Sequence, residues 1–183
     1  MQATRLAIPE VVLFTPNFFG DERGFFFESF NQNAFEEATG IKRTFIQDNH
    51  SKSQRGVLRG LHYQLDPMAQ GKLVRVTQGA VLDVAVDLRR SSPTFGKSVA
   101  VELNAENGNM LWIPPGFGHA FLALEDQTGF AYKVTDYYSP RGERTILWSD
   151  AEIGIDWPVN PAQVIVSDKD RAGRLLKDAD VFA

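Results

Sequence analysis

The chain has 183 residues, 43% of them hydrophobic and 11% aromatic, with a net charge of −4 and no cysteine. That length closes one packed core and points to a single domain over 1–183. The acidic balance argues against general nucleic-acid binding, the lack of cysteine excludes disulfides, thiolate nucleophiles and zinc–thiolate sites, and no run approaches the ~18 apolar residues of a membrane span.

Residues 1–9 lack the apolar stretch of a secretory signal, which with the missing cysteines suits a cytoplasmic setting. Turn signals then recur at short intervals: Asn17, Gly20-Asp21, Gly40, Gly71, Gln78-Gly79, Ser92-Pro93, Asn107-Gly108, Pro114-Pro115-Gly116, Thr128-Gly129 and Ser139-Pro140. The segments between them are short and rich in Val, Leu, Phe and Tyr. This pattern predicts an all-β sandwich or barrel. Two helices interrupt it. One covers 33–39 and stops at Gly40; the other covers 169–176, follows Ser167 and is amphipathic.

Gly56-Val57-Leu58-Arg59-Gly60-Leu61-His62-Tyr63-Gln64 reads as an apolar strand that nevertheless carries Arg59 and His62. His62 is one of three histidines, with His50 and His119, and Lys72 follows in Gln70-Gly71-Lys72-Leu73-Val74-Arg75. Phosphate needs Arg or Lys. A carbon acid beside a carbonyl needs a base, and a cation for the enolate oxygen. A nucleotide-linked keto sugar needs both. Arg59 and His62 have opposite parity, so a regular strand sends them to opposite faces. A bulge at Gly60 would reset the alternation; otherwise one of the two lies outside the site.

Residues 72–88 read as a hairpin about Gln78-Gly79, with Lys72 facing Ala85 and Val74 facing Asp83. Those four then share one face, while Leu73, Arg75, Leu82, Val84 and Val86 share the other. Both faces are largely apolar and both should be covered. Residues 119–136 read as a second hairpin with its loop at 126–129, pairing Ala123 with Tyr132 and Phe121 with Val134. His119, Phe121, Tyr132 and Val134 then point the same way.

Several longer motifs carry a family likeness. They are Asp21-Glu22-Arg23-Gly24-Phe25-Phe26-Phe27-Glu28, Gln47-Asp48-Asn49-His50-Ser51, Arg55-Gly56-Val57-Leu58-Arg59-Gly60-Leu61-His62 and Gly71-Lys72-Leu73-Val74-Arg75. Trp112-Ile113-Pro114-Pro115-Gly116-Phe117-Gly118-His119, Tyr132-Lys133-Val134-Thr135-Asp136-Tyr137-Tyr138 and Ser167-Asp168-Lys169-Asp170 follow. In this order they resemble the dTDP-4-dehydrorhamnose 3,5-epimerases nearly end to end. The resemblance implies a cupin-type β jelly roll, a homodimer, no cofactor and a dTDP-linked keto-deoxysugar substrate. It also implies a place in dTDP-L-rhamnose biosynthesis for cell-surface polysaccharide. The segment 114–119 fits the second motif of the wider cupin class, Pro-x-Gly-x-x-His. The first-motif region holds His62 alone, without a His-x-His pair, which argues for no metal.

The resemblance makes His62 the general base, and an unperturbed imidazole pKa of about 6.5 suits that role. The protons at C3 and C5 both flank the C4 ketone, so one base can serve both. From the strand alone, His62 reads equally well as a core histidine bonded to a backbone carbonyl. Asp170 is carried over as its carboxylate partner, yet 167–170 also reads as a capping box, which the sequence alone favours. A helix start can serve both roles. Tyr132 is carried over as the general acid on the opposite face, against the commoner fate of a packed strand tyrosine. Lys72 would stabilise the enolate oxygen, against a solvated edge lysine. His119 resembles a second pocket histidine, against a turn residue after Gly118.

Arg23 and Arg59 are the candidate diphosphate ligands, since guanidinium pairs bidentately with phosphate. Gln47, Asp48 and Asn49 are carried over as substrate-binding, with Gln47 and Asn49 directed to phosphate or deoxyribose. Glu28 would accept from thymine N3–H, from a region that reaches across the dimer in the family, and Phe26 or Tyr138 would stack on the base. Glu143 and Lys169 match further ligand positions and are otherwise plain surface charges. Three rival readings remain open. They are a mono-epimerase acting at C3 or C5 only, a non-catalytic nucleotide-sugar-binding cupin, and a metal-dependent cupin dioxygenase, which the missing His-x-His disfavours.

Overall fold

Short segments punctuated by Gly, Asn and Pro, most of them apolar, form thirteen strands in the computed structural model, which describes residues 1–183. In chain order they are β1 (Gln2–Arg5), β2 (Val12–Thr15), β3 (Phe19–Asp21), β4 (Gly24–Phe26), β5 (Gln47–Ser53), β6 (Leu58–Gln64) and β7 (Lys72–Gln78). Then come β8 (Ala80–Asp87), β9 (Ser98–Asn104), β10 (Met110–Ile113), β11 (Phe117–Ala123), β12 (Thr128–Val134) and β13 (Glu143–Thr145). One sheet has six strands in the order β1-β2-β10-β7-β12-β5, and the other has five in the order β13-β6-β11-β8-β9. β3 and β4 form a separate hairpin. The two sheets meet face to face over a core in which Val74, Val76, Leu111, Ile113 and Phe130 pack against Val81, Ala85, Val99, Leu103, Phe117 and Phe121. This is the cupin-type jelly roll, with every ladder between its strands antiparallel.

Both expected hairpins need correction. β7 pairs with β10 and β12, whereas β8 pairs with β11 and β9, so the chain changes sheets at Gly79. Gly79 has φ 73°, and a Cβ there would lie 2.6 Å from Thr128 Oγ1, so the corner requires glycine. β11 and β12 likewise lie in opposite sheets. A tight glycine turn between two strands apolar on both faces fits a hairpin and a corner equally well, and the packing decides. The outer face of β8 joins Leu61 and Tyr63 of β6 in one apolar cluster capped by Ile153, Leu176 and Ala179, leaving no solvated side to mark a simple ribbon. The expected facing survives the change. Lys72 and Val74 look into the same interior as Asp83 and Ala85, across the barrel rather than along a ladder.

α1 (Gln32–Thr39) forms as expected. Asn31 Oδ1 accepts from Ala34 N at 3.1 Å at its start, and Gly40 at φ 73° ends it. Its Phe35 packs on Phe14 and Trp112, covering part of the outer face of the six-stranded sheet. α2 (Asp168–Arg171) is a single turn, shorter than the expected 169–176. The helix cannot continue because Arg174 joins the edge beside β13, donating to Thr145 O at 3.0 Å and accepting from Leu147 N at 2.8 Å. Gly173 passes so close to Ile146 and Leu147 that a Cβ would sit 2.7 Å from the Leu147 nitrogen. No helix is long and apolar enough to cross a membrane.

Candidate active site

The site begins at the irregularity in β6. Its register against β11 sets His62 opposite His119 but Arg59 opposite Phe121, three residues against two. Gly60 takes up the extra residue at φ 126°, where a Cβ would lie 2.5 Å from both Ala120 Cβ and His119 O. The bulge expected at Gly60 is present, and Arg59 and His62 line the same cavity in spite of their parity.

That cavity, of about 350 Å³, is walled by both sheets and by α2. Arg59 and His62 come from β6 and His119 and Phe121 from β11, while Lys72 comes from β7, Phe130 and Tyr132 from β12, and Ser51 from β5. Glu143, Ser167, Lys169 and Asp170 close one side. His62 and Tyr132 therefore stand on opposing sheets.

His62 Nε2 lies 2.5 Å from Asp170 Oδ1, which leaves the other ring nitrogen free. Burial pushes the Asp170 carboxyl up, but hydrogen bonds from His62, Ser167 and the Gly60 backbone outweigh it and hold the group below its usual range. Asp170 is thus ionised and able to stabilise an imidazolium. The capping role coexists with this one: Asp170 N donates to Ser167 Oγ at 3.1 Å while the carboxylate turns to the histidine.

Lys72 is buried, and its ammonium donates to His62 O at 3.3 Å. Burial depresses its pKa to about 8; Asp83 and then Glu143 oppose that shift, and Lys169 adds to it. His119 Nε2 faces both oxygens of Asp83, at 2.9 and 3.1 Å. Burial holds His119 below the usual imidazole range despite that carboxylate. Burial also raises the Tyr132 phenol, with Arg59 working against it. The hydroxyl is therefore un-ionised near neutral pH and can donate.

At the cavity wall Glu143 accepts from Lys169, and from Tyr138 Oη at 3.0 Å, so three predicted ligand positions form one linked group. Burial raises the Glu143 carboxyl, but Lys169 and Tyr138 reverse this and leave it lowered. Arg59 is steadied by Ser53 Oγ at 3.2 Å and Lys52 O at 3.4 Å, and it remains exposed to an incoming anion. Gln47 and Asn49 pair with Val134 and Tyr132 and share their inward face. Gln47 Nε2 donates to Asn49 Oδ1 at 2.9 Å.

Seven predicted residues do not line this cavity: Gln47, Asn49 and Tyr138 adjoin its lining residues, and Asp48, Arg23, Phe26 and Glu28 lie elsewhere. Strand alternation sends the Asp48 side chain to the outer face, away from those of Gln47 and Asn49, where it pairs with Lys133 at 3.0 Å. Arg23 pairs with Asp21 at the tip of the β3–β4 hairpin, and Phe26 on that hairpin is 68% exposed. Glu28 accepts from Asn31 Nδ2 at 3.1 Å beside α1. Asp83, which no motif marks as a site residue, bonds His119 behind the cavity wall. Its signal was a lone carboxylate within Val81-Leu82-Asp83-Val84-Ala85-Val86, a place where charge needs a partner. No group of three or more His, Cys, Asp or Glu side chains is placed to hold a metal ion.

The family model for dTDP-4-dehydrorhamnose 3,5-epimerase matches residues 5–178. The chain belongs to the dTDP-4-dehydrorhamnose 3,5-epimerase family. The enzyme of that description from Pseudomonas aeruginosa is 60% identical over 182 residues, covering 100% of this chain and 99% of its own. The crystal structure of dTDP-6-deoxy-D-glucose-3,5-epimerase from Legionella pneumophila, in complex with dTDP-4-keto-L-rhamnose, is 50% identical with a TM-score of 0.94. It covers 98% of this chain and 94% of that one. A 3'-monoepimerase from Streptomyces bikiniensis, in complex with dTDP-quinovose, is 35% identical with a TM-score of 0.89, over 94% of this chain and 86% of that one. The epimerase family thus shares one fold between double and single inversion, and the more identical relatives are named as 3,5-epimerases.

Proposed function

We propose that the chain converts dTDP-4-dehydro-6-deoxy-D-glucose to dTDP-4-dehydro-L-rhamnose, inverting C3 and C5, within dTDP-L-rhamnose biosynthesis. The observation that carries this reading is the facing of His62 and Tyr132 from opposing sheets, with the Lys72 ammonium lining the same cavity. Inversion at carbon needs a base on one face and an acid on the other.

In this reading His62 removes the proton from C3 or C5, and the electron pair moves onto the C4 oxygen. The imidazolium that forms is stabilised by the Asp170 carboxylate. Lys72 donates to the enolate oxygen. A buried ammonium lacks water to solvate it, so negative charge developing beside it is strongly favoured. Tyr132 then gives its proton to the opposite face of the carbon. Solvent exchange resets both side chains, and the same pair serves the second carbon. These steps move protons only, so neither an oxidant nor a group carrier takes part.

Arg59 and Lys169 supply cations for the diphosphate, and Gln47 and Asn49 add hydrogen bonds beside them. The exposed β3–β4 hairpin supports a homodimer. Phe19, Phe25 and Phe26 are 65%, 66% and 68% exposed on one short hairpin, and Arg23 and Glu28 lie away from this chain's own cavity. A second copy would cover those rings and receive Arg23, Phe26 and Glu28 at its cavity. The absence of cysteine supports a cytoplasmic setting.

The test is proton NMR of the keto-sugar nucleotide incubated with the protein in deuterated water. Deuterium at both C3 and C5, with inversion at both, is the expected result. Exchange and inversion at one carbon alone would replace the reading with single epimerisation, and binding without exchange would leave a non-catalytic cupin.

A further inference from the structure

The reaction above leaves Asp83 without a task, although it is fully buried. It sits on β8 directly opposite Phe121 of β11, so His119 is its diagonal neighbour on the inward face. His119 Nε2 reaches both of its oxygens, at 2.9 and 3.1 Å. A carboxylate out of water needs compensation by a positive charge or by donated hydrogen bonds. His119 supplies a hydrogen bond, and the buried Lys72 ammonium, which lines the same cavity as His119, is the nearby positive charge that Asp83 favours without touching it.

We propose that Asp83 is a positioning residue for the epimerisation, fixing His119 in the Nε2–H tautomer and acting as the counter-ion of the Lys72 ammonium that meets the C4 oxygen. This rests on the proposed epimerase reading. Two histidine–carboxylate pairs then face one cavity with different duties. Asp170 supports the base that moves protons, while Asp83 supports the side that receives negative charge.

The groups facing Lys72 set its sensitivity to pH. They are Arg59 and His62 from β6, Asp83 from β8, His119 from β11, Tyr132 from β12, Glu143 from β13 and Lys169 from α2. Burial lowers Lys72 most, and Asp83 is the strongest group opposing it, ahead of Glu143. Removing the Asp83 charge lets the ammonium lose its proton at lower pH.

Asp83→Asn keeps the shape and an acceptor for His119 while removing the charge. The basic limb of the kcat profile should move down by about one pH unit, with dTDP affinity changed by less than about twofold. A residue that merely filled space would lower thermal stability and leave the limb where it is. A folded variant with an unmoved limb overturns the inference. A second measurement does not depend on the variant folding: nitrogen-15 NMR of the wild-type histidines should find His119 protonated at Nε2 between pH 6 and 8. A neutral Nδ1–H tautomer there also overturns it. A wild-type protein that exchanges no proton at C3 or C5 overturns both this inference and the reaction. Normal wild-type exchange beside an unmoved limb in the variant overturns this inference alone.

Discussion

His62 and Asp170, 108 residues apart in the chain, are joined by a 2.5 Å contact between imidazole and carboxylate. A one-turn helix, capped by Ser167, delivers the carboxylate to the bulged strand that carries the histidine. In the proposed reaction the contact orients the ring and stabilises the positive charge that proton removal would place on it.

Asp170→Asn should therefore lower kcat by roughly 10²- to 10⁴-fold. Binding of dTDP should stay within about twofold, because Arg59 and Lys169, not Asp170, are the proposed diphosphate ligands. Steady-state kinetics with a calorimetric titration of dTDP separates the two effects. Equal losses in kcat and affinity would make Asp170 a structural cap only.

Gly60→Ala tests the bulge that brings Arg59 and His62 together. Its Cβ would lie 2.5 Å from Ala120 Cβ and from a backbone oxygen, at a φ of 126° that side chains avoid. A destabilisation of about 3 kcal/mol or more is expected, read as a fall in the denaturation midpoint. Unchanged stability with full activity would show that β6 can carry both residues without glycine.

Much of this arrangement was legible from strand parity. Alternation alone put Lys72 with Asp83, and His119 with Tyr132, because a side chain's inward direction survives when a strand folds over the core. Pairing was not legible. Gly79 reads the same in a hairpin and in a corner between sheets, and only the cover over β8 distinguishes them. The end of α2 was hidden for a similar reason: the apolar spacing after Arg171 comes from chain docking beside β13, not from helix. Arg23, Phe26 and Glu28 were recognised through motifs alone, and the single chain leaves them outside its cavity. Asp83 was seen on the right face, but its partners only become evident once β8 and β11 are adjacent.

Acid sensitivity should centre on Asp87. Burial raises this carboxyl, but hydrogen bonds from Arg89, Ser92 and Thr94 hold it down to about 2. An unfolded aspartate titrates near 3.9, so this group's stabilisation is fully present above about pH 4 and is lost as pH falls toward 2. Asp87→Asn should cost about 3 kcal/mol at pH 7, and the gap from wild type should narrow below pH 4. Urea denaturation at pH 7 and at pH 3 measures both; a gap constant with pH would contradict the assignment.

In the proposed reaction His62 and Tyr132 work on opposite faces of the substrate carbon. Tyr132→Phe removes only the hydroxyl, so His62 can still withdraw protons and return them to the face they left. The decisive measurement is NMR of the keto-sugar nucleotide recovered after incubation with this variant in deuterated water. Deuterium should enter with little net inversion at one or both carbons. Normal inversion at both C3 and C5 would contradict that assignment.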